Sequence, residues 1–82
     1  MKNLKWFKGD IYSEGDIVTN PFSGESIKLN NIELSLYDYI MGVEMVRHFD
    51  ENFITKEHLK IRSKCIDYFL ENNIDAYYKL ID

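Results

Sequence analysis

Between Asn30 and Phe49 the apolar residues recur at helical spacing. Ile32, Leu36, Tyr39, Ile40, Val43 and Val46 fall in one stripe of a helical wheel, the expected core face. Leu34, Tyr37, Met41 and Met45 fall in a second stripe on roughly the opposite side. Asn30 followed by Glu33 has the spacing of a capping box, which fixes the helix start. A helix apolar on two sides must be covered twice, by an N-terminal hairpin and by a later helix or a second subunit. "FDENFIT" breaks the period, and Thr55 is a natural N-cap for "KEHLKIRSKCIDYFLENN". There Leu59, Ile66, Phe69 and Leu70 share a face, with Arg62 and Cys65 at its edge. Asn72-Asn73 ends that helix, and "IDAYYKLI" reads as a short third helix or closing turn packed by Ile74, Tyr77, Leu80 and Ile81.

Ahead of the helices the period changes. "GDIVTN" and "ESIKLN" are short β-branched runs with partial alternation, Ile17 and Thr19 on one face, Ile27 and Leu29 on another. Asn20-Pro21-Phe22-Ser23-Gly24 lies between them. Proline pre-sets φ for a turn and glycine can take the positive φ that closes it, so a hairpin with a loop of about five residues is predicted. Upstream, "LKWFK" is a candidate further strand, with Gly9-Asp10 and Glu14-Gly15-Asp16 as turns. The fold class predicted is α+β in a single domain, residues 1–82. A short hairpin or irregular β front (1–30) packs on two antiparallel helices and a short C-terminal one (31–82).

Composition supports a folded chain: 45% hydrophobic and 15% aromatic residues are far from the make-up of disordered segments. One cysteine, Cys65, cannot form an internal disulfide, which argues for a reducing, cytoplasmic setting. No signal-like or membrane-length apolar run is present, so no membrane partner is expected. The net charge of −4 is unevenly spread, with basic stretches at 1–9 and 56–64 and an acidic middle. An acidic middle weighs against non-specific duplex DNA binding, which phosphate neutralisation drives.

Few residues are placed for chemistry. A phosphate loop needs spaced glycines, a lysine and a Ser/Thr opening a helix, and NPFSGES has one glycine in a turn. Asn20-Pro21-Phe22 matches the tripeptide read by eukaryotic EH domains, but strands flank it here, not a flexible tail. Glu44 and His48 share a helix face with His58 as a distant third ligand, short of a metal motif. Cys65 borders an apolar stripe, where a buried thiol is commoner than a nucleophile. Asp38 and Glu44 point apart on their helix, so no carboxylate pair forms there. No catalytic residue, metal or cofactor is assigned.

Two surfaces remain. Lys56, Lys60 and Lys64 make a basic stripe on the second helix, and Lys2, Lys5 and Lys8 flank Trp6 and Phe7, a basic-aromatic combination suited to single strands. The second stripe of the first helix (Leu34, Tyr37, Met41, Met45), with Trp6, Phe7 and Phe22, offers large adaptable side chains of the sort enriched at binding surfaces. Gly42, at about 1 kcal/mol cost against alanine in mid-helix, suggests close approach of another backbone.

"VTNPFSGESIKLNNIELSLYDYIMGVEM" resembles a family of small proteins encoded by tailed bacteriophages, marine and cyanobacterial phages among them. In that family a similar NPFSG turn leads into a helix with an LYDYIMGVEM-like run, then a helix and an AYYKLID-like end. The resemblance covers most of residues 16–82 and leaves the first fifteen outside it. It implies a phage origin, hence the host cytoplasm, and no catalytic residues, because the family carries no established activity. "CIDYFLENNIDAYYKL" is also similar to part of a tetratricopeptide-type unit, but a lone unit cannot bury a solenoid's faces. The function expected is that of a non-enzymatic accessory protein binding another protein or itself. The alternative is a nucleic-acid-associated protein using the lysines above.

Overall fold

Residues 4–7 and 9–82 are described by a computed structural model. Two strands, β1 (Asp16–Thr19) and β2 (Ser26–Leu29), pair antiparallel with Asp16 opposite Leu29 and Thr19 opposite Ser26. Alternation puts Val18, Ile27 and Leu29 on the inner face, where Leu29 is fully buried, and turns Ile17 out to solvent. The connection is an Asx turn. Asn20 Oδ1 accepts the Phe22 amide at 2.8 Å, and the Gly24 amide donates to the Asn20 carbonyl at 2.8 Å. Gly24 closes the turn at φ +77°, a conformation in which a β-carbon is strained. Gly15 is needed for a different reason: a β-carbon there would lie 1.9 Å from the Leu29 carbonyl oxygen.

The helix α1 (Asn31–Phe49) starts where its capping box predicts. Asn30 Oδ1 accepts the Glu33 amide at 2.8 Å, and the Asn30 amide donates to Glu33 Oε1 at 2.9 Å. The capping Asp50 and a single 3₁₀ turn (Glu51–Phe53) then reverse the chain. Thr55 caps α2 (Lys56–Asn72), with His58 Nδ1 accepting the Thr55 amide at 3.2 Å in the reciprocal role a glutamate usually takes. Asn73 opens α3 (Ile74–Ala76), which continues as a π-helical turn (Tyr77–Ile81).

The core is one cluster: Leu29 from the hairpin, Leu36 and Ile40 from α1, Ile61, Cys65 and Phe69 from α2, Ala76 from α3 and Leu80 from the π-helical turn. The fold is thus α+β, a hairpin laid on a helical layer. On α2 the buried spine is Ile61, Cys65 and Phe69, so the predicted face is rotated: Leu59 and Leu70 are exposed, and Cys65 lies at the centre instead of the edge. A repeat of four keeps Ile61, Cys65 and Phe69 in one line along α2. On α1, Val46 emerges at the open end of the helix and is exposed. Of the candidate strand "LKWFK", Leu4 to Phe7 form a turn instead, closed by the Phe7 amide on the Leu4 carbonyl at 2.9 Å, and Lys8 lies outside the described residues.

Polar links tie distant segments together. Buried Glu33 turns its other oxygen, Oε2, to accept Asn73 Nδ2 at 3.1 Å, while Asn73 Oδ1 accepts the Ala76 amide at 3.2 Å. One carboxylate therefore serves the caps of α1 and α3. Asn20 Nδ2 donates to the Lys79 carbonyl at 2.9 Å, fastening the hairpin turn to the end of the chain. The Tyr12 segment is strapped to the start of α1. Its amide donates to Ser35 Oγ at 2.9 Å, its carbonyl accepts from Asn31 Nδ2 at 3.2 Å, and its hydroxyl donates to Asp38.

Candidate interaction surface

The side of α1 turned away from the core is built by its sequence. Asp38, Gly42, Met45 and Phe49 recur at the three- and four-residue spacing that keeps them on one outward line. Phe49 is 82% exposed and Met45 64%. The 3₁₀ turn after α1 swings Phe53 out to 70% exposure beside them. Between this turn and α1 runs a groove of about 280 Å³ lined by Gly42, Val43, Val46, Phe53 and Ile54. Gly42 forms part of its wall, and among the described residues no atom beyond its chain neighbours and the adjacent backbone of α1 lies within 4 Å of where its β-carbon would be. The close approach that a mid-helix glycine suggests is therefore made by none of the described residues.

On the other side of α1 a larger cleft of about 410 Å³ opens under the hairpin turn, between Pro21, Phe22, Tyr37, Met41, Arg62 and Leu80. Phe22 stands at its rim, 97% exposed, with its backbone held by Asn20. An ion pair between Arg62 Nε and Glu44 Oε1, at 2.6 Å, forms part of the wall, and Arg47 approaches the same oxygen at 3.8 Å.

The seven residues predicted for an interaction surface divide accordingly. Phe22 and Met45 are open. Leu34, Tyr37 and Met41 are half-buried against the core, so much of the second stripe is covered from inside by the turn and the C-terminal segment. Trp6 and Phe7 are also half-buried. They meet edge to face at 6.0 Å, and Phe7 meets Tyr39 at 5.6 Å. Phe49, Phe53 and Val46 were missed by the sequence reasoning. The available signal was "HFDENF", two aromatics flanking a helix break where no core could reach them.

The basic residues also come together. Trp6 sits with Lys56, Lys60 and Lys64 around a shallow cleft of about 350 Å³, joining the aromatic N-terminal segment to the lysine stripe of α2. Lys5 is exposed in the adjoining turn, whereas Lys2 and Lys8 lie outside the described residues.

The side chains weighed for chemistry are otherwise engaged. Cys65 has no exposure, and burial pushes its thiol up to about 12, leaving no thiolate at neutral pH. His58 is occupied as a cap and Glu44 by arginine, and His48 lies edge-on to Phe49 at 6.4 Å. Among the described residues no three His, Cys, Asp or Glu side chains converge as a metal site would require. No described helix is long and apolar enough to cross a membrane. What the fold presents is a small α+β domain with several open clefts among its described residues. No family model, curated protein or solved structure matches the chain.

Proposed function

We propose that this chain is a non-enzymatic accessory protein, of the kind tailed phages encode for work in the host cytoplasm, which acts by binding protein through the outer side of α1. The observation that carries the reading is the set of three open side chains, Met45, Phe49 and Phe53, on a domain with a small core. Aromatic and methionine side chains are the types enriched where protein surfaces meet, and open patches of this kind mark contact sites. The test is capture from host extract on immobilised protein, comparing wild type with Phe49→Asp. A prey retained by the wild type and lost from the variant supports the reading. Equal profiles, or no prey with a monomeric wild type, dispose of it.

A second reading rests on a separate observation, the convergence of Trp6 with Lys56, Lys60 and Lys64. Here the lysines would neutralise the backbone of a single strand and the indole would stack on a base. Fluorescence anisotropy with a labelled single-stranded oligonucleotide at about 50 mM salt, where such binding is strongest, decides it. Absence of binding there removes this reading, and loss of binding in a Lys60→Glu, Lys64→Glu variant upholds it.

A further inference from the structure

Where the Tyr12 segment is strapped to the start of α1, the strap leaves a pocket of about 280 Å³. Three aromatic side chains, Phe7, Tyr12 and Tyr39, and two carboxylates, Asp10 and Asp38, line it. Phe7 and Tyr39 stand nearly perpendicular, with 75° between their planes and 5.6 Å between their centroids, so they form adjoining walls. Gly9 leaves room for that arrangement, because a β-carbon there would lie 2.6 Å from the end of the Phe7 ring. Tyr12 is fixed by three bonds, through its amide to Ser35, its carbonyl to Asn31 and its hydroxyl to Asp38. We infer that this pocket binds an organic cation, a protonated amine or guanidinium on an apolar stem, with its charge between Asp10 and Asp38 and its stem against Phe7, Tyr12 and Tyr39. The site goes beyond the reading of the outer side of α1 and does not rest on it.

The rings and the carboxylates ask for the same ligand. An aromatic face carries partial negative charge and attracts a cation placed over it. The two carboxylates add full charges that converge on one place. The Tyr12 hydroxyl is held above its ordinary pKa, first by its bond to Asp38 and by that carboxylate's charge, with burial and the charge of Asp10 adding to it. The strap uses one oxygen of Asp38, and among the described residues neither Asp38 nor Asp10 has a basic side chain as ion-pair partner. Holding Tyr12 in place therefore leaves most of the negative charge uncompensated. A metal ion is the poorer occupant, because hard cations take six or more oxygen ligands and no three His, Cys, Asp or Glu side chains converge among the described residues. The volume also bears on the choice. At the small end of ligand pockets, which start near about 300 Å³, it holds the head of a side chain or a small amine.

Titration of the full chain with butylammonium chloride, followed by two-dimensional NMR of backbone amides and aromatic rings, tests the site. Saturable shifts centred on Tyr12, Asp38 and Tyr39 are expected, with a dissociation constant in the millimolar range. Sodium chloride and calcium chloride at matched ionic strength should not reproduce them. Asp10→Asn combined with Asp38→Asn removes both charges and keeps an acceptor for the Tyr12 hydroxyl, and should weaken binding about tenfold. Tyr39→Leu, which removes one ring, should weaken it roughly two- to fivefold. Circular dichroism of the variants separates a lost site from a lost fold. A second titration reads the source of the cation, using an end-blocked peptide with one lysine among alanines. Tighter binding than butylammonium assigns the pocket to a protein side chain, and equal or weaker binding assigns it to a free amine. The inference is overturned if neither probe gives saturable shifts, if calcium reproduces them, or if the double Asn variant binds like the wild type.

Discussion

Glu33 shows how one side chain can hold two helix starts. Its first oxygen completes the Asn30 cap and its second receives the Asn73 amide, all within a nearly closed pocket. Removing it would orphan donors at both places. Glu33→Ala is therefore expected to lower the unfolding free energy by about 1–3 kcal/mol, against about 1 kcal/mol for Thr55→Ala at the exposed α2 cap, as read by urea denaturation. The Asn30–Glu33 spacing was legible in the sequence because a capping box is local. The contact to Asn73, forty positions away, was not, because no local spacing says which amide a buried carboxylate will meet. Cys65 gives a pH prediction. Burial raises its folded pKa above the reference value of 9.0 to about 12, favouring the neutral thiol. The stability this confers is complete below pH 9.0 and is lost as pH climbs toward about 12. Alkaline unfolding monitored by circular dichroism should be less steep in Cys65→Ala, and thiol reagents should label the native wild type only at the rate of its opening.

At the scale of elements, the boundaries followed from punctuation: Asn30, Thr55 and Asn73 cap three helices, and Asn20 to Gly24 makes the turn. The orientation of α2 did not follow. Its sequence offers more apolar positions than one face can bury, and Ile61 stands between Lys60 and Arg62, so it reads as part of a charged run. Only the packed position of α1 selects Ile61, Cys65 and Phe69 over Leu59 and Leu70. Ile61→Ala is accordingly expected to cost about 2–4 kcal/mol, and Leu59→Ala less than about 1 kcal/mol. Chemical denaturation of the two variants compares them directly. Within α1, Gly42→Ala should raise stability by about 0.5–1 kcal/mol, since a methyl group there meets no described atom outside its own stretch of helix and the helix gains a better former. A thermal melt at low protein concentration would show that gain.

For the molecule as a whole, the hairpin-on-helices architecture was legible from the change of period near Asn30. The candidate interaction surface was legible only in part. Phe22 and Met45 stood out by type and position, whereas Phe49 and Phe53 acquire their exposure from the sharp reversal after α1, which depends on how the two helices pack. The lysines of α2 and Trp6 are likewise neighbours only in three dimensions. Because the outer side of α1 is apolar, its association should weaken little with added salt and should show a negative heat-capacity change by calorimetry. Oligonucleotide binding through the lysine face would instead fall steeply with salt.

The bond from Asn20 to the Lys79 carbonyl spans 59 positions of sequence. On the ribosome, the hairpin turn therefore lacks this anchor until Lys79 has emerged. A nascent chain arrested before Lys79 should leave the Pro21–Gly24 loop open to protease, and extension past that residue should protect it. Closure of the hairpin turn is thus expected to wait on the residues that follow α2.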